Sequence, residues 1–326
     1  MSRTFSSTTS QASSTPSDTR QQSPIAQLYA FWKFSRPHTI IGTTLSVIGL
    51  SVMAGAVTQA GTGIELALLP PLPTIALALA ACLCGNLYIV GLNQIEDVAI
   101  DRINKPHLPL ASGEYSYRQA VTIVSIAGIL ALTLAGIGGG YLLATVGISL
   151  IIGTAYSLPP VRLKRFPFWA SLCILSVRGA IVNLGLFLHF HQGLPIPSPV
   201  WTLTGFILVF TFAIAIFKDV PDLEGDRQYH ISTLTLKLGQ VTVFRLARWV
   251  LTACYLGIIA AALVGVSGSQ PFVLIATHLV ILAALWQRSV RVNLQDKRSI
   301  SRFYQFIWKL FFLEYLLFPI ACWLSH

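Results

Sequence analysis

Residues 73–101 read PTIALALAACLCGNLYIVGLNQIEDVAID, an apolar run that closes on a row of acids. About twenty apolar residues suffice to cross the hydrocarbon core of a bilayer as a helix. Apolar stretches of this kind are predicted at 39–58, 73–95, 118–136, 140–157, 168–190, 200–217, 243–265, 271–287 and 303–324, each bounded by Pro, Gly or a charge cluster. With 54% hydrophobic and only 10% charged residues, the chain cannot be arranged as a water-facing globule. The expected fold is all-α: a polytopic transmembrane bundle of about nine helices. The third span and the fourth are divided at the Gly138-Gly139-Gly140 hinge.

A net charge of +10 invites a nucleic-acid reading, but the basic residues are placed by topology. One set of loops carries Lys33 and Arg36, then Arg102, Lys105 and Arg118, then Arg162, Lys164 and Arg165, then Lys218, Arg227 and Lys237, and finally Arg288, Arg291, Lys297, Arg298 and Arg302. The alternate loops, near Glu65, Gly139, Pro195 and Ser267, carry none. The positive-inside rule therefore places the basic loops on the cytoplasmic side or its equivalent, with no need for nucleic acid.

Residues 1–24 are rich in Ser, Thr and Gln, and are expected to form a disordered tail ahead of a single domain over 25–326. Their low acid content is shared by organelle transit peptides and by plain tails. The five cysteines fall inside predicted spans, and Cys82-Leu-Cys84 lacks the further Cys or His that a zinc site needs, so they are read as packing residues. His38, His189 and His191 lie near span ends, where interfacial polar roles are expected.

Only twelve residues are acidic, and they cluster. Asn93, Asp97 and Asp101 stand four apart, on one face if helical. A second row, Lys218-Asp219-Val-Pro-Asp222-Leu-Glu-Gly-Asp226, follows another apolar span on the same side, with Pro221 and Gly225 marking a helix end. Unliganded carboxylates in such rows repel, so a cation belongs between them. Hard oxygen donors suit Mg²⁺, which shares its coordination sphere with substrate phosphate oxygens. Two such rows facing each other would hold a diphosphate, with Arg102, Lys105, Lys218 and Arg227 beside them to take the charge that the metal leaves uncovered. The loop from Tyr156 through Arg162, Lys164 and Arg165 lies on that side too. Arg178 falls in mid-span, where a charge is costly, and is expected to face the interior with a carboxylate: that of a substrate or a protein acid such as Glu314. Lys309 and Glu314 are i, i+5, off a common face, and are read as cavity lining or as partners of other helices.

At these rows the sequence resembles the UbiA superfamily of intramembrane prenyltransferases, whose pattern pairs an N-x-x-x-D-x-x-x-D box with a later D-x-x-D-x-x-G-D box. More narrowly it resembles the homogentisate prenyltransferases of oxygenic phototrophs, with N-Q-x-x-D-x-x-x-D and K-D-x-P-D-x-x-G-D. The similarity extends to Phe34-Ser-Arg36-Pro37-His38-Thr39, Asp101-Arg102-Ile-Asn-Lys105-Pro106, the Tyr156–Arg165 loop and Phe303-Tyr-Gln-Phe-Ile-Trp-Lys309, covering the chain after about residue 28. It implies nine transmembrane helices around a central cavity capped by cytoplasmic-side or stromal-side loops. It also implies Mg²⁺ held by Asn93, Asp97, Asp101, Asp219, Asp222 and Asp226. Lys218, Arg102 and Lys164 become diphosphate contacts, and Tyr156 lies near the leaving group. The implied reaction is Mg²⁺-dependent transfer of a phytyl chain from its diphosphate to homogentisate, with loss of CO₂ and diphosphate. The expected product is the tocopherol precursor 2-methyl-6-phytylbenzoquinol, by attack from the ring carbon that bears the acetate. Solanesyl or geranylgeranyl transfer, and more remotely chlorophyll synthesis, are alternatives. A cation-coupled transporter would also show buried acids, but near the midplane.

Overall fold

The computed structural model describes residues 23–62, 69–228, 233–265 and 269–325. The expected tail lies, up to residue 22, outside the described residues. A short helix α1 (Pro24–Phe34) leads into α2 (Pro37–Thr62) and α3 (Leu72–Glu96). The short α4 (Val98–Asn104) and α5 (Pro109–Ser112) then cross the end of the bundle before α6 (Tyr117–Gly138) and α7 (Gly140–Ser157). A 3₁₀ turn at Leu163–Arg165 opens a composite span made of α8 (Pro167–Ile174), a π-helical stretch Leu175–Ile181 and α9 (Val182–His191). The rest of the chain forms α10 (Ser198–Phe217), the short α11 (Leu223–Gln228) and α12 (Leu234–Leu238), then α13 (Gln240–Leu263), α14 (Pro271–Ser289) and α15 (Lys297–Trp323).

Among the described residues, nine helical segments are long and apolar enough to cross a membrane, and each coincides with one predicted from hydropathy. Gly139, at φ 105°, separates α6 from α7 at the expected hinge. The lipid-facing surface keeps apolar side chains exposed, such as Ile129, Ile151 and Val280, as a bilayer solvent requires. Large side chains fill the interior instead: Phe210 and Phe217 of α10 pack edge-on or tilted against Tyr255, Phe311 and Phe303 from α13 and α15.

Close approach between α2 and α15 has a local cause. Pro319 has no N–H to donate to the carbonyl of Tyr315 one turn earlier, and that carbonyl faces Gly49 of α2. A Cβ at position 49 would lie 2.7 Å from the Tyr315 oxygen. Small residues allow helix backbones to touch in lipid, where van der Waals packing replaces the hydrophobic effect.

The one acid and two cations placed in apolar spans by the sequence separate here. Glu314 is fully buried and pairs with His278, Nε2 to Oε2 at 3.1 Å, while Nδ1 of that ring lies 2.7 Å from the Leu274 carbonyl. Glu314 is thus engaged on α14 and is no partner of Arg178, which makes no ion pair among the described residues. Lys309 is exposed at the edge of the central cavity.

Replacing Gly49 with Ala should destabilise the protein by about 1–3 kcal/mol, because the added methyl meets backbone that cannot swing away. Thermal unfolding in detergent measures this. An unchanged melting temperature would show that α2 and α15 can separate without loss.

Candidate active site

A cavity of about 1070 Å³ runs into the bundle from the end where the basic loops gather. Its deeper walls are formed by α2, α3, α7, α8–α9 and α15, through residues such as Cys82, Val146, Leu186 and Trp308. Its mouth is ringed by Asn93, Asp97, Asp101, Lys105, Tyr156, Lys164, Lys218, Asp219 and Asp222.

The first acidic row is not one continuous helix. Helix α3 ends at Glu96, and Asp97 takes φ −110° and ψ 14°, outside the helical range, before α4 resumes. The i−4 hydrogen bonds nevertheless continue, with Asp97 N–H donating to the Asn93 carbonyl at 3.1 Å and Asp101 N–H to that of Asp97 at 2.8 Å. Asn93 Nδ2 donates to Asp97 Oδ2 at 3.0 Å. The other oxygen of Asp97 receives two cations from the α7–α8 loop: Lys164 Nζ at 2.8 Å and Arg162 at 3.1 Å. Arg162 reaches it from a left-handed backbone, φ 36°, and also donates to the Glu96 carbonyl. Burial lowers the Lys164 pKa against the pull of Asp97.

Asp101 sits deeper, with a side chain 6% exposed, between Arg36 at 3.7 Å and Lys105 at 3.8 Å. Burial raises its pKa, and the two cations pull the other way. Its Oδ2 is buried with no hydrogen-bond donor. Lys105 also hydrogen-bonds Asp222 of the second row, so a single ammonium spans both boxes. In the second row Lys218 lies 3.6 Å from Asp219 and donates to the Tyr156 hydroxyl at 3.0 Å. Burial raises the Asp219 pKa too, opposed by Lys218. Asp222 precedes α11, whose backbone carries Asp226; the Asp226 side chain lies outside the described residues.

Two of the expected contacts stand apart. Arg102 and Arg227 are exposed and are not among the cavity-lining residues. Adjacent residues on a helix point about 100° apart, so with Asp101 turned inward Arg102 faces away. Arg162 touches Asp97 without lining the cavity.

Arg36 was absent from the expected site. It holds φ 53°, an uncommon value for a residue with a side chain, in the turn between α1 and α2. Gln94 fixes that turn by donating to the Phe34 carbonyl at 2.7 Å, which gives the glutamine of the N-Q-x-x-D pattern a structural task. The signal for Arg36 was present in the Phe34–Thr39 motif, but its partner is sixty-odd residues away and is set by the turn.

Among the described residues, no three His, Cys, Asp or Glu side chains converge on one point, and the carboxylates are paired with Lys105, Lys164, Lys218, Arg36 and Arg162. The donor set fits a hard divalent cation nonetheless: oxygen ligands from both rows, within reach of one lysine, and a buried Asp101 oxygen without a donor.

The geometry defines an intramembrane enzyme mouth for an anionic group, above an apolar chamber. The chain belongs to the UbiA prenyltransferase family, which it matches over residues 41–310. It is 57% identical over 309 residues to a homogentisate phytyltransferase of Synechocystis sp., covering 93% of this chain and 98% of that protein. It is 41% identical over 317 residues to the chloroplastic homogentisate phytyltransferase 1 of Arabidopsis thaliana, covering 93% and 78%. Its fold is also that of a UbiA homolog from Archaeoglobus fulgidus whose structure has GPP and Mg²⁺ bound: TM-score 0.61, 16% identity, covering 89% of this chain and 99% of that one.

Lys105 keeps Asp101 and Asp222 from repelling each other. Lys105→Met should therefore lower the melting temperature by a few degrees without divalent cation, as about 1 kcal/mol does in a domain of this size. Added Mg²⁺ should raise it more in the variant than in the wild type. Equal Mg²⁺ responses would show that the two carboxylates do not share a cation.

Proposed function

We propose that this protein transfers a phytyl chain from its diphosphate to homogentisate, releasing diphosphate and CO₂ and giving 2-methyl-6-phytylbenzoquinol. The observation that carries the reading is the pair of acidic boxes bridged by Lys105 over an apolar cavity. Identity of 57% to a homogentisate phytyltransferase supports the choice of chain and acceptor. Asn93, Asp97, Asp101, Asp219, Asp222 and Asp226 would hold Mg²⁺, which when bound supplies positive charge to the leaving diphosphate. Arg36, Lys105, Lys164 and Lys218 turn their cations to the same diphosphate, stabilising it most as its charge grows. The Tyr156 hydroxyl, held by Lys218, is placed to contact the leaving oxygen. The apolar chamber excludes water that would otherwise capture the allylic cation.

In the reaction the allylic C–O bond breaks with its electron pair leaving on diphosphate. A ring carbon forms the new C–C bond and loses its proton. The acetate loses CO₂ and takes up a proton to become the methyl group. This balance corrects the expected point of attack: in the product the chain and the methyl stand on different ring carbons, so attack comes from a C–H carbon beside a hydroxyl and not from the one bearing the acetate.

The carboxylates lie at the ends of α3 and α10, at one end of the bundle, which suits an enzyme mouth and not the midplane site of a transporter. By the positive-inside rule the boxes face the cytoplasm or stroma of a photosynthetic or plasma membrane. Residues 25–326 form the catalytic domain.

Asp97→Asn or Asp222→Asn should abolish transfer while the protein still inserts and folds, with a melting temperature lowered by no more than a few degrees through the loss of the Lys164, Arg162 or Lys105 pairs. Retention of more than about a tenth of the wild-type rate at saturating Mg²⁺ would contradict the metal role, since a lost ligand costs well over tenfold.

A further inference from the structure

Arg178 is a mid-span charged group that the mouth chemistry leaves without a task. It sits in the π-helical stretch Leu175–Ile181 of the fifth span and lines the cavity. π-Turns inside α-helices re-aim side chains and recur at functional sites. The turn is braced: Asn183 Nδ2 donates to the Gly179 carbonyl at 2.6 Å, and Tyr315 of α15 donates to Asn183 Oδ1 at 2.7 Å. The guanidinium lies over the Trp308 ring at 4.9 Å and the Phe311 ring at 5.5 Å, both on α15. Gly42 leaves room beside it, since a Cβ there would lie 3.5 Å from an Arg178 terminal nitrogen.

This cation has no ion-pair partner among the described residues, and Glu314, the acid in a neighbouring span, is taken by His278. A guanidinium in mid-span is costly, and aromatic faces offset only part of that cost. Its complement is an anion that enters the cavity. The diphosphate is the wrong one: at ~1.5 Å per residue Arg178 lies on the order of 15 Å along the span from Pro167, the end next to Lys164 and the first aspartate box. The allylic cation is excluded by its sign. A planar, forked donor in an apolar wall matches a carboxylate.

We infer that Arg178 is the acceptor-binding residue that holds the side-chain carboxylate of the aromatic substrate. The inference rests on the proposed acceptor, homogentisate, whose acetate is the anion that this position would meet. It carries a consequence for turnover. The quinol product has lost the carboxylate, so the contact that draws the acceptor in does not retain the product, which is free to partition into the bilayer.

The test uses the full chain in nanodiscs with phytyl diphosphate and two ring ligands: homogentisate, and methylhydroquinone as the same ring without a carboxylate. Wild-type protein should bind homogentisate at least about tenfold more tightly than methylhydroquinone, as expected of a charge-assisted bond to a desolvated carboxylate. Arg178→Met should raise the KM for homogentisate by on the order of 10–100-fold, leave the KM for phytyl diphosphate within about twofold, and leave inhibition by methylhydroquinone unchanged. Arg178→Lys should recover part of the loss. Equal wild-type affinity for the two ring ligands would overturn the inference without reference to any variant. So would an Arg178→Met protein that weakens both ligands alike. A wild-type enzyme that prenylates neither homogentisate nor any other carboxylated ring would overturn the acceptor assignment itself, and that outcome is read separately from the variant kinetics.

Discussion

Everything at the mouth of this bundle depends on the need of buried carboxylates for positive charge. Asp97, Asp101, Asp219 and Asp222 are brought together where the spans end, in a setting dry enough that burial pushes Asp101 and Asp219 toward the protonated form. Lysines and arginines from four separate segments answer them: Arg36 from the α1–α2 turn, Lys105 after α4, Arg162 and Lys164 before α8, and Lys218 after α10. The same cations that hold the resting site together are the ones a diphosphate would draw on. If Asp97, Asp101, Asp219 and Asp222 hold Mg²⁺ as proposed, their present partners would be free to turn to phosphate oxygens, and one set of charges would serve both states.

Depth divides the labour within the cavity. Charge is concentrated at the mouth, where α3 and α10 terminate and short helices cap the bundle. Below it the walls turn apolar and aromatic, with Arg178 set among them without an ion pair among the described residues. A hydrophobic chain, a phosphate anchor and a carboxylated ring thus meet surfaces of matching character in one chamber.

Hydropathy made the spans legible because a bilayer penalises every unpaired backbone group, so length and composition suffice to place a helix. The Asn93–Asp97–Asp101 spacing likewise pointed to one constellation. The break at Asp97 was not legible, and neither were the cations that meet its carboxylate there, Arg162 and Lys164, which lie sixty-five or more residues along the chain. Glu314 shows the same limit: its partner His278 lies 36 residues away on another helix, and a lone histidine in an apolar run carries no signal of pairing. Arg36 lies in a motif that the sequence shows, but its place at the site follows from a positive φ and from the Gln94 clamp on the preceding turn. Arg102, expected as a diphosphate contact from its place beside Asp101 and from the family resemblance, is a neighbour in sequence that the helix turns away from the cavity.

The most direct measurement is a product assay with the purified chain in liposomes, supplied with homogentisate and a panel of prenyl diphosphates, with and without Mg²⁺. The account predicts a new C–C bonded quinol with the mass of 2-methyl-6-phytylbenzoquinol, formed fastest from phytyl diphosphate, with CO₂ and diphosphate released in equal amounts and only when Mg²⁺ is present. Hydrolysis of the diphosphate without a prenylated ring, or transfer that proceeds equally well without divalent cation, would contradict it.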